Sequence, residues 1–174
     1  YQLWSDAEFK QRWTYIPECD KIDSTRMDDW SFPIGTRFFK EFQRDGVRIE
    51  TRLIERFGPG DRDFAMASYQ WNEAETEATK VAEEGIENVR NSGHDIPSKA
   101  ECLQCHGTYS LGGGRPSRGL GFSAIQLSHS DSETTLQTLI DSDLLSRNPA
   151  HAVSFPGTGT TRDALGYCLL YTSD

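Results

Sequence analysis

Gly35-Thr36-Arg37-Phe38-Phe39-Lys40-Glu41-Phe42-Gln43-Arg44-Asp45-Gly46-Val47-Arg48-Ile49-Glu50-Thr51-Arg52-Leu53 is the stretch on which the fold turns. Asp45-Gly46 is a favoured pair for a two-residue type I′ turn, whose twist matches that of the strands it joins. After it, Val47, Ile49, Thr51 and Leu53 alternate with Arg48, Glu50 and Arg52. Period-two alternation of this kind predicts a half-buried antiparallel strand with the charged side chains on its outer face. Paired strands are therefore expected near 36–44 and 47–56. Gly58-Pro59-Gly60-Asp61 then breaks the chain, and Phe64–Trp71 is a third candidate strand. Upstream, Pro33 keeps Trp30–Ile34 extended. Trp4, Trp13, Trp30 and Trp71 are expected to serve the core before they serve as binding platforms.

Beyond residue 71 the pattern changes. Six glutamates between Asn72 and Glu87 read as a solvated connector, with a surface for a cationic partner as the other reading. Asn91–Pro97 is a turn, and Ser98 with Glu101 three residues on fits a capping box that opens a short helix over Lys99–Cys105. Residues 107–123 carry six glycines beside Arg115 and Arg118. They lack the strand, the helix and the Gly-Lys-Ser/Thr ending of a phosphate loop, so a flexible loop is expected. Asp131–Leu145 is the best helix, with Leu136, Leu139, Ile140 and Leu144 at helical spacing.

Composition narrows the function. The 174 residues are 36% hydrophobic, 11% aromatic and 26% charged, enough to bury a core. The net charge of −9 and pI near 4.9 argue against nucleic acid as a partner. Mean hydropathy is −0.63, and no apolar run approaches the roughly 20 residues of a membrane span. Four cysteines, at 19, 102, 105 and 168, are too few and too uneven for a disulfide scaffold.

The chemistry lies in Cys102-Leu103-Gln104-Cys105-His106. Cys-x-x-Cys-His is the attachment pattern of c-type haem. On one helical turn, two thiols three residues apart share a face, where each can bond a vinyl-derived carbon of the porphyrin. The adjoining His106 then offers its imidazole to the iron. Two other readings compete. A thiol–disulfide pair would need a thioredoxin-like βαβ pattern, which is missing. Structural zinc needs four ligands, and the spare candidates Cys19, His94, His129 and His151 are unpaired. For the distal side of a haem the candidates are Met27, Met66, His94, His129 and His151, with Met27 and His94 the foremost. Core filling is the competing role of the methionines. The competing role of His94 is a turn residue bonded to Asp95.

Several segments resemble a family of bacterial exported cytochrome c proteins. They are Leu3-Trp4-Ser5-Asp6 with Arg12-Trp13, Trp30 to Thr36, Glu50-Thr51-Arg52-Leu53, and Tyr69 to Asn72. They continue through His94-Asp95-Ile96-Pro97-Ser98, the Cys102–His106 motif, Leu120-Gly121-Phe122-Ser123 with Gln126-Leu127, and Ala164-Leu165-Gly166-Tyr167. In relatives this last tetrapeptide precedes a second Cys-x-x-Cys-His. Here Cys168–Asp174 follows, which reads like translated sequencing-adapter DNA, an ordinary apolar tail being the alternative. The resemblance implies a longer dihaem parent of which this fragment keeps one haem c. It also implies a periplasmic or extracellular location, with redox proteins as partners. A looser likeness adds polysaccharide-oxidising or other secreted enzymes as partners.

The expected architecture is α+β. A β-rich region over 1–89 packs with a short-helix, loop-rich, cytochrome c-like haem segment over 90–167, and 168–174 is a non-native tail. The expected function is that of a c-type cytochrome, holding haem covalently and transferring electrons outside the cytoplasm. One alternative is a dihaem peroxidase-like oxidoreductase, in which His94 or Glu101 would serve as acid–base residue. The other is a β-rich interaction module with a structural or sensory haem.

Overall fold

At Asp45-Gly46 both residues take positive φ, 52° and 79°, as a type I′ turn requires. The turn joins β2 (Arg37–Arg44) to β3 (Val47–Arg56). They are the centre of a five-stranded antiparallel sheet ordered β1 to β5, completed by β1 (Phe9–Tyr15), β4 (Phe64–Trp71) and β5 (Ala78–Lys80). The computed structural model describes residues 9–27, 29–60, 62–106, 119–128 and 133–151. The expected tail at 168–174 and most of the glycine-rich loop lie outside these residues. Among the described residues no helix is long and apolar enough to cross a membrane.

The α+β expectation is overturned, because the fold is dominated by β structure. Among the described residues, the part beyond 90 holds only α1 (Lys99–His106) and the short α2 (Leu136–Asp141) as α-helix. The predicted Asp131–Leu145 helix shrinks to α2 for two local reasons. Thr135 takes an extended conformation and caps the helix, its side chain accepting from the Thr138 N–H, so the helix starts at Leu136. Asp143, at φ 54°, turns left-handed and stops it. Leu145 then bridges to Ile22 in parallel.

The leucines of this segment therefore serve packing. Leu136, Leu139 and Leu145 join Ile22, Trp30, Phe32, Ala124 and Leu127 in one buried cluster. Phe32, Phe38 and Phe122 meet edge to face around it, so the cluster rests on the sheet through Phe38 of β2. A second cluster, Ile49 with Val89 and Ile96, covers the far end of β3. A register shift between Phe42 and Gln43 leaves Ile49 as the extra residue of a bulge there. Of the tryptophans, Trp30 is buried, while Trp13 remains about half exposed on β1. Trp71 stacks under the Arg48 guanidinium, whose centre is 4.0 Å from the ring centroid.

Two expectations need correction at this level. The acidic connector contains β5, and its Glu75 and Glu83 pair with Arg48 and Lys99. The charged side of β3 does not face solvent throughout. Glu50 is completely buried, at 0% exposure.

Candidate functional site

The thiols sit on α1, and the local sequence explains why a helix forms there. The Ser98 N–H donates to Glu101 Oε2 at 2.8 Å, and the Glu101 N–H donates to Ser98 Oγ at 3.3 Å. This is the predicted capping box. Lys99 adds an ion pair with Glu83 and a backbone N–H bond to the Glu83 carbonyl at 2.8 Å. Before the helix, Ile86 and Ile96 form an antiparallel bridge that closes the 86–96 loop.

None of the eight residues of α1 is buried. A helix this short is marginal by itself, and here it packs no apolar face into the core. Cys102 and Cys105, both free thiols, are three residues apart and so lie on one side of it. Cys102 is half-buried, Cys105 is exposed, and the half-buried His106 ends the helix. These residues fit covalent haem: two unbridged thiols, one half-buried and one exposed, share a side of the helix next to an imidazole.

Burial holds the Cys102 thiol above its ordinary range, with Arg52 opposing and Glu50 and Glu101 reinforcing the shift. A dithiol exchange centre has the reverse need, a thiol whose pKa is depressed. Among the described residues no three His, Cys, Asp or Glu side chains gather as a metal site, so zinc gains no support.

The distal candidates lie elsewhere. Met27 packs against the first cluster, and its carbonyl accepts the Ala124 N–H at 2.9 Å. Met66 is on β4 opposite Ile54. His151 is exposed, and His129 lies outside the described residues. His94 is 5% exposed, with its ring against Phe42 and its Nε2 2.7 Å from Glu50 Oε2. The expected bond between His94 and Asp95 gives way to this one, and Asp95 instead accepts the Asn88 N–H at 2.7 Å.

Burial by itself pushes the Glu50 carboxyl up. The hydrogen bonds from His94 and Arg52 outweigh it and hold the group below the usual carboxylate range. Arg52 Nε and Nη2 donate to Oε1 and Oε2 at 2.6 and 2.9 Å. An ionised carboxylate only accepts, so His94 Nε2 carries the proton and donates it. To ligate iron through Nε2, His94 would have to abandon a buried carboxylate. Glu101, the other acid–base candidate, is engaged by Ser98. Neither group is poised for peroxidase-type proton transfer.

Residue spacing does not reveal this Glu50–His94–Arg52 group.

No family model, curated protein or solved structure matches the chain.

Proposed function

We propose that this chain holds one haem c and transfers electrons outside the cytoplasm. The observation that supports this best is the Cys102–His106 motif on a capped helix with no fully buried residue and neither thiol in a disulfide. Cys102 and Cys105 would hold the haem through thioether bonds, each S–H adding across one vinyl group, and His106 would ligate its iron. When bound, haem contributes a one-electron iron couple. The capping box and the Glu83–Lys99 pair keep the two thiols in register. Partners on this reading are redox proteins, including polysaccharide-oxidising or other secreted enzymes. Production with the c-haem maturation machinery, followed by pyridine haemochrome spectroscopy, tests it. One haem per chain is expected, and apo protein would contradict it.

A second reading is favoured by one observation. Phe9, Trp13 and Tyr15 alternate along the edge strand β1 and stay 58, 48 and 49% exposed on one face. Exposed aromatics of this kind suit an interaction module whose haem is structural or sensory. Rapid reversible reduction and oxidation favours electron transfer, and a haem that resists cycling favours the module.

A further inference from the structure

The register of the sheet places Arg12 of β1 opposite Lys40 of β2, and Lys40 opposite Arg52 of β3. Directly opposed side chains share a face, so three cations form a row across three adjacent strands. Neighbouring strands are about 4.8 Å apart, and like charges so placed repel. Arg12 is exposed, while Lys40 and Arg52 are half-buried. Lys10 is buried one rung away and, like Lys40 and Arg52, lies near the Phe42 ring. On this face of β1 to β4 the register supplies one acid, Glu50, and Arg52 with His94 already holds it. Lys40 is pushed down to about 8, by burial first and then by Arg12, Arg52 and Lys10. The row continues into Ser68 on β4, the strand against which α1 packs. The helix of the thiols thus adjoins the strand at the end of this cationic row, in a chain whose net charge is −9. Within the row Arg52 is paired with Glu50 while, among the described residues, Arg12 and Lys40 have no ion pair.

We infer that Lys40, with Arg12, receives the carboxylates of the haem attached at Cys102 and Cys105. The inference rests on the proposed function. It explains why an acidic protein concentrates cations on the face beside α1. The same cations could take a free phosphate, and the test separates the two sources.

The test is zero-length coupling on the haem-loaded protein. A carbodiimide activates a haem carboxylate, the Lys40 amine attacks it, and the carbodiimide leaves as its urea. The net change is an amide formed with loss of water. Pyridine haemochrome first establishes that haem is present, and its absence would mean that the haem reading itself had failed. With haem present, digestion should yield a Soret-absorbing peptide joining the Cys102–His106 segment to the Lys40 peptide of β2. Lys40→Arg keeps the charge and removes the amine, so this peptide should vanish while the haem stays. A haem peptide free of Lys40, or Lys40 coupled to a carboxylate of the chain itself, would overturn the inference. So would protection of Lys40 from acetylation by inorganic phosphate in the absence of a haem cross-link, which would assign the row to a free anion.

Discussion

Glu50 and His94 are 44 residues apart in sequence and 2.7 Å apart in the fold, both shielded from solvent. Their contact ties β3 to the loop that leads into α1. It thereby connects the sheet to the helix that carries the thiols. A buried carboxylate is tolerated here because His94 and Arg52 together satisfy it.

Removing one side of such a pair strands the others. Glu50→Ala should lower stability by about 3–5 kcal/mol in urea unfolding near neutral pH. Glu50 has its carboxyl pKa lowered in the fold, so its contribution is complete above the ordinary carboxyl range and lost as pH falls through the folded value. The wild type should therefore lose stability on acidification more steeply than Glu50→Gln. Parallel acid titrations of the two would contradict the assignment.

Lys40 has the opposite pH signature. Its folded pKa of about 8 lies below the ordinary lysine value of 10.5, so between these limits the unfolded chain binds more proton. Stability of the haem-free protein should rise with pH across that window. Lys40→Met should flatten the rise, and an unchanged slope would show that Lys40 is not desolvated.

Two glycines should respond differently to alanine. Gly46 has φ 79° with open space where a methyl would stand, so Gly46→Ala should cost only the left-handed backbone penalty, about 1–2 kcal/mol. At Gly85, φ is 78° and a Cβ would come within 2.4 Å of the Ile96 carbonyl oxygen and 2.7 Å of the Ser98 nitrogen. Gly85→Ala should cost more and loosen the start of α1. Thermal melts of the two variants give the order directly.

Ser98→Ala removes the capping hydroxyl. A loss of about 1 kcal/mol is expected. Faster amide exchange should follow over Lys99–Cys105. Unchanged exchange would mean that the pair with Glu83 suffices to hold the helix.

Much of the sheet was legible because its signals are local. Asp45-Gly46 and the alternation after it located β2 and β3, and Gly58–Asp61 marked the approach to β4. β5 was hidden because its three residues sit among six glutamates, of which Glu75 and Glu83 pair with Arg48 and Lys99. The helical spacing of Leu136, Leu139, Ile140 and Leu144 was real but misleading. Thr135 and Asp143 bound a six-residue helix, and Leu144 packs from the turn beyond it. At the candidate site, the motif and its capping box could be read because every partner lies within nine residues. Glu50, His94 and the row from Arg12 to Arg52 could not. They depend on register and on a loop that returns across the sheet.

The central claim is covalent haem at Cys102 and Cys105, and intact mass after denaturation and extraction tests it most directly. Protein made with the c-haem maturation machinery should retain one haem, with both thiols blocked to alkylation. Cys102→Ala/Cys105→Ala should retain none. Wild-type protein of apo mass, with Cys102 and Cys105 both open to alkylation, would contradict the account.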